Sequence, residues 1–139
     1  MFCLNKLSIN GGKIMSVKSD TLKMKNWAVV GATNKKEKYG YKIVKSLADN
    51  DYNVFPINPS LDEIDGIKVY KKLSDIEEDI DVVDMVVNPQ IGKLVMKEIN
   101  KLGIKYVWLQ PGARSDEIRD YAEENDIKFV ESCIYATLS

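Results

Sequence analysis

Histidine is absent from the 139 residues. Without it these residues can form no Ser-His or Cys-His nucleophile pair, no histidine-ligated metal and no phosphohistidine intermediate. Cysteine is scarce as well. Cys3 and Cys133 stand at opposite ends of the chain, which argues against a disulfide framework and against a cysteine-based zinc site. No apolar run approaches the roughly 18 residues needed to span a bilayer. The apolar residues from Met1 to Ile9 are interrupted by Asn5 and Lys6, and no small-residue cleavage site follows them. Charge of one sign is lacking too: the net charge of −1 creates no global field for DNA or an anionic membrane. The expectation is a cytosolic (cytoplasmic) protein with neither a nucleic-acid nor a membrane partner.

What is present suits one folded unit. A composition of 45% hydrophobic and 29% charged residues excludes a disordered chain, and the length fits a single domain with a real core. Periodicity begins near Met24, so residues 1–18 read as a flexible N-terminal extension, with Met15 an alternative start, and 19–139 as the domain. Trp27 to Gly31 reads as a buried strand. Gly40 to Asn50 reads as a helix, with Tyr41, Val44, Leu47 and Ala48 on its apolar face. Strands are expected at Asn53–Ile57, Ile67–Tyr70, Val82–Val87, Lys105–Leu109 and Ile127–Val130, with a helical turn from Leu73 to Glu78. Asn88 and Pro89 open a further helix whose inner face is Ile91, Leu94, Val95, Ile99 and Leu102, closed by Gly103. Ser115 caps another that runs to about Asn125. Strand and helix in alternation imply a doubly wound parallel sheet, a three-layer αβα single domain of the α/β class. Ligands of such sheets lie beyond the carboxyl ends of the strands.

The loop after the first strand is therefore the first candidate site. It runs from Gly31 to Gly40, with Thr33 and Asn34 as donors and Lys35, Lys36 and Lys38 as cations. The helix that Gly40 opens offers amides and the positive end of its dipole to phosphate. The glycines are nine positions apart, so this is neither the G-x-G-x-x-G dinucleotide fingerprint nor a P-loop. The second strand ends in Phe55-Pro-Ile-Asn-Pro59, without the acid that a classical NAD site uses for its ribose. Pro56, Pro59, Pro89 and Pro111 all fall at or beside strand ends, where they suggest an apolar groove.

These residues resemble a known family. Ala28-Val-Val-Gly31-Ala32-Thr33, Lys38-Tyr-Gly40-Tyr41 and Tyr52-x-Val54-x-Pro56-x-Asn58-Pro59 look like the CoA-binding domain family of small bacterial proteins. So do Asp81 to Val87, the distinctive Val107-Trp108-Leu109-Gln110-Pro111-Gly112-Ala113, and Cys133. The resemblance covers about residues 20–135. It implies a Rossmann-like domain similar to the CoA-binding part of the succinyl-CoA synthetase α subunit. It also implies coenzyme A held by Gly31, Ala32, Thr33, Asn34, Lys35, Tyr39, Gly40, Ile57, Asn58, Pro59, Val87, Asn88 and Pro89. Asn88 departs from an apolar or proline residue in relatives.

The expected function is a stand-alone binder of coenzyme A or an acyl-CoA that acts as carrier, sensor or regulator and is not itself an enzyme. One alternative is the CoA-pocket subunit of an acyl-CoA ligase that needs a catalytic protein partner. Another is an NAD(P)-binding sensor. No catalytic residue and no metal site are assigned. Asp84, in an apolar strand, is expected at a sheet edge or a helix contact, and Cys133 as a small buried packing residue rather than a partner for the CoA thiol.

Overall fold

The computed structural model describes residues 12–139, with side chains from Val17 onward. The expectations placed on Met1–Ile9 and Cys3 lie outside the described residues, as does most of the 1–18 extension.

Seven strands and five helices follow one another as α1 (Gly12–Leu22), β1 (Asn26–Val30), α2 (Tyr39–Asp49), β2 (Asn53–Ile57), β3 (Glu63–Ile64), β4 (Ile67–Lys68), β5 (Val82–Met85), α3 (Pro89–Lys101), β6 (Tyr106–Leu109), α4 (Asp116–Glu124), β7 (Lys128–Val130) and α5 (Ile134–Leu138). Five strands form one parallel sheet in the order β2-β1-β5-β6-β7. Alternation along each strand feeds two cores. Ala28, Val30, Phe55, Ile57, Val83, Met85, Val107 and Leu109 face α3 and α4. Trp27, Val29, Val82 and Trp108 face the other way, where Ile43, Val44 and Leu47 of α2, Ile134 of α5 and Val17 and Leu22 of α1 cover them. The three-layer doubly wound architecture is therefore as the alternating pattern required.

The caps expected for α3 and α4 are made, whereas Ser74, a candidate cap for the turn at Leu73, lies inside the short turn Leu73–Asp75 and makes no cap bond. Asn88 accepts the amide of Ile91 and Ser115 that of Ile118. Gly103, at φ +78°, closes α3.

Four details differ from the sequence reading. Ile67–Tyr70 is not a further strand of the parallel sheet. Its first half pairs antiparallel with β3 through a tight turn at Asp65 and Gly66, both at positive φ, and Tyr70 alone bridges Ile57. On α3 the inward residues are Gly92, Met96 and Ile99, whereas Ile91, Leu94 and Leu102 are exposed. Helix α1, unread in the sequence, crosses position 18 and packs on the sheet. Its Thr21 is fully buried and accepts the indole N–H of Trp108 at 2.9 Å. Helix α5, after the last strand, was also unread. Among the described residues no helix is long and apolar enough to cross a membrane.

Candidate functional site

The strand order reverses between β1 and β5. Beyond their carboxyl ends lie the β1–α2 loop and the β5–α3 loop, and they touch. Gly31 leaves β1 at φ +100°, and a Cβ there would stand 3.0 Å from the carbonyl carbon and oxygen of Val86 and 3.1 Å from Cγ1 of Val87. Gly40 sits buried in the first turn of α2, where a Cβ would stand 2.2 Å from the carbonyl oxygen of Gly31. Both glycines are thus required by the contact of one loop with another and of a loop with its own beginning, and together they bring the start of α2 down onto the switch point.

The end of β2 is tied to the same place. Asn58 donates its side-chain amide to the carbonyl of Ala32 at 2.8 Å and accepts the amide of Ser60 at 2.7 Å. Its backbone N–H meets Tyr70. Gly31, Ala32, Thr33, Asn58, Val87, Asn88 and Pro89 therefore converge at one rim. Not every expected residue presents a side chain there. Ala32 and Ile57 are 1% and 7% exposed and point into the two cores, so only their backbone reaches the rim. Asn88 spends its side-chain oxygen on the α3 cap. Pro59, Pro89 and Pro111 line the rim, but Pro56 is buried within β2 and presents no surface.

The chemistry of the cradle is cationic and donor-rich. Lys38 stands at the N-cap of α2 with no side-chain cap bond; its carbonyl accepts the amide of Tyr41 at 3.1 Å, while the amides of Tyr39 and Gly40 have no capping side chain. Lys35, Lys36, Lys38, Asn34 and Tyr39 are exposed around it. Thr33 turns the loop by accepting the amide of Lys35 at 3.2 Å. Uncapped amides at the positive end of a helix dipole, with three lysines beside them, suit a phosphate-bearing ligand. The glycine backbone leaves room for its close approach. The residues present thus fit a coenzyme A.

Two features beside the rim were not assigned to the site from the sequence. Tyr135 of α5 lies edge-on to Tyr39, ring centroids 6.1 Å apart. Gln110, 2% exposed, extends from the end of β6 between Asp84 and the start of α5. The rarity of the Trp-Leu-Gln-Pro-Gly run singled Gln110 out, but nothing in the sequence said what it would touch. Asp84 is not at a sheet edge. It is fully buried in β5, the central strand, paired in register with Val29 and Trp108. Cys133 is the half-exposed N-cap of α5 rather than a core residue.

The family model described as CoA binding domain matches residues 25–139. An ADP-forming acetate–CoA ligase of Methanocaldococcus jannaschii is 40% identical over 104 residues, 75% of this chain but only 15% of the ligase. The chain therefore spans a small part of that relative. An uncharacterized protein, YneT, of Bacillus subtilis is 26% identical over 78% of this chain and 80% of its own length. Among solved structures, a conserved hypothetical protein from Pyrococcus furiosus superposes with a TM-score of 0.78 at 38% identity, covering 82% of this chain and 99% of that one.

Proposed function

The chain belongs to the CoA-binding domain family, and from that premise we propose that it binds coenzyme A or an acyl-CoA at the rim between β1 and β5, in the cytosol, as a carrier, sensor or regulator without catalysis of its own. The observation that carries this reading is the contact of Gly31 and Gly40, which lays the uncapped start of α2 and its lysines over the switch point. Gly31, Ala32, Thr33, Asn34, Lys35, Tyr39 and Gly40 would meet the phosphates, largely through backbone groups. Ile57, Asn58 and Pro59 would border the nucleotide, and Val87, Asn88 and Pro89 the pantetheine arm. Relatives of similar length support a domain that stands alone.

The likeness to an ADP-forming ligase favours a second reading, a CoA pocket offered to a catalytic partner chain. With no histidine in the sequence, any step through a phosphohistidine would fall to that partner.

Isothermal titration with coenzyme A and acetyl-CoA tests the first reading directly. Saturable one-to-one binding by the purified chain is expected. Absence of heat and of competition at about 1 mM ligand, the regime of a −4 kcal/mol interaction, would refute it.

A further inference from the structure

We propose that α5 is a cap beside the candidate coenzyme A site and that its docking is coupled to the protonation of Asp84. The coupling of Asp84 to α5 stands on geometry alone; its effect on ligand rests on the reading above.

Asp84 lies at 0% exposure in the middle strand of the sheet. Oδ1 accepts from the side-chain amide of Gln110, and Oδ2 has no hydrogen-bond partner. The orientation of Gln110 is fixed from its other end, because its oxygen accepts the backbone N–H of Ile134 at 3.3 Å. An amide whose oxygen faces a backbone donor must turn its amino group to Asp84. The first amide of α5 is thus held by a side chain that Asp84 holds in turn, and Cys133 adds no side-chain cap bond. From that anchor, Ile134 is fully buried in the core shared by Trp108, Val29 and α2, and Tyr135 lies against Tyr39, the residue that opens α2 at the rim. Whatever loosens the anchor takes Tyr135 away from Tyr39 and the beginning of α2.

A neutral Asp84 suits this arrangement: its carbonyl oxygen accepts from Gln110 and a hydroxyl occupies the partnerless side. An ionised Asp84 places a charge in the apolar layer with one hydrogen bond, which is costly. No opposite charge bonds to it from any packed element. Lys18 of α1 donates to Ser132 and lies over the Trp108 ring. Lys42 and Lys45 of α2 are engaged with the Tyr39 ring and Asp65, and Tyr41 also binds Asp65. Cys133 and Tyr135 of α5 and Tyr39 of α2 make no bond to it, and its strand neighbours in β1 and β6 are apolar. Burial accordingly pushes the Asp84 carboxyl up to about 8, against the smaller downward pull of the Gln110 hydrogen bond. As pH rises from the ordinary carboxylate range toward that value, ionisation increasingly favours admitting water to Asp84, and the five-residue α5 is the element whose attachment depends on the relay.

Hydrogen exchange of the α5 amides, Thr137 foremost because it bonds to Cys133, is measured from about pH 6 to about pH 9.5 and corrected for intrinsic rates, in the wild type and in Asp84→Asn. Asparagine keeps the shape, with an amide nitrogen in place of one oxygen, and cannot ionise. Wild-type protection is expected to fall by roughly tenfold per pH unit up to about pH 8 and to level off above it, and the variant's profile to be flat. A carbon NMR titration of the Asp84 carboxyl needs no substitution, so it decides even where the variant does not fold. A midpoint in the ordinary carboxylate range, or α5 protection that does not change with pH, overturns the coupling. Coenzyme A affinity followed in parallel is expected to weaken over the same interval in the wild type alone. A pH-independent affinity while α5 opens overturns the cap's role at the site. No binding at any pH, with α5 exchange still tracking Asp84, defeats the ligand reading and leaves the coupling intact.

Discussion

A single methyl group at Gly40 would collide with the carbonyl oxygen of Gly31 at 2.2 Å. Backbone cannot rotate aside as a side-chain tip can, so Gly40→Ala forces the start of α2 away from the end of β1. The expected cost is about 1–3 kcal/mol of stability, with CoA affinity lowered at least about tenfold in protein whose circular dichroism is native. Unchanged affinity would place the ligand elsewhere. Gly31 fails a substitution twice over, by its φ of +100° and by the Val86 carbonyl at 3.0 Å; Gly112, at φ +92° with nothing within 4 Å, fails only once. The lysines act differently. Lys35, Lys36 and Lys38 take part in no salt bridge among the described residues, so their replacement by glutamine leaves the fold alone. It should weaken CoA binding by roughly 1–3 kcal/mol for the three together and flatten its salt dependence. Affinity that is untouched assigns them to solvent. Both glycines stand out in the sequence as candidate site residues from their place after a strand and before a helix. The reason for each does not, because the carbonyl groups they avoid belong to a loop some 55 positions away (Val86 less Gly31) and to each other's neighbourhood in space.

Helices reveal what periodicity carries and what it omits. α2 and α4 were readable because the apolar residues of each recur at helical spacing, α2 against one face of the sheet and α4 against the other. α1 was not. The residues it places against the sheet include Thr21, a polar group whose value lies in a hydrogen bond to Trp108, 87 residues on, and no pattern announces such a bond. Removing that acceptor tests whether α1 belongs to the fold. Thr21→Val keeps the shape and leaves the buried indole N–H without a partner, at an expected cost of about 1–3 kcal/mol, read as a lower urea midpoint with an unchanged slope. A neutral result would mean that α1 merely rests on the sheet. On α3 Val95 and Ile99 face inward as expected, but Ile91, Leu94 and Leu102 are exposed and Gly92 and Met96 complete the inner face: Gly92 packs against Ile118 and Met85, and a close helix contact made by a glycine carries no hydrophobic signal. The β3–β4 hairpin escapes the sequence pattern because its two-residue strands are too short to show alternation, although Asp65-Gly66 marks its turn.

At the scale of the whole molecule, one parallel sheet with a reversal between β1 and β5 explains why three loops distant in sequence share a rim, and the strand–helix alternation made that legible. Selectivity follows from the same topology. In a dinucleotide site the end of the second strand supplies a carboxylate to the ribose. Here that position holds Asn58, and both ends of its side chain are already engaged, with Ala32 and Ser60. A ribose could bind Asn58 only by breaking the tie between β2 and the first loop. The rim therefore offers phosphate donors without a ribose acid, which favours a ligand recognised through phosphate and an extended arm over one recognised through two riboses. Thermal unfolding resolves the two. A ligand at a hundred times its dissociation constant stabilises the native state by about 2.7 kcal/mol, which for a domain of this size raises Tm by about 5–10 °C. Coenzyme A should produce that shift, increasing with the logarithm of its concentration, and NAD and NADP at equal concentration should produce none. Asn58→Asp should not create NAD binding, because the new carboxylate cannot donate to the Ala32 carbonyl and so loosens the loop it would need. A shift with NAD equal to that with coenzyme A would overturn the assignment of this rim.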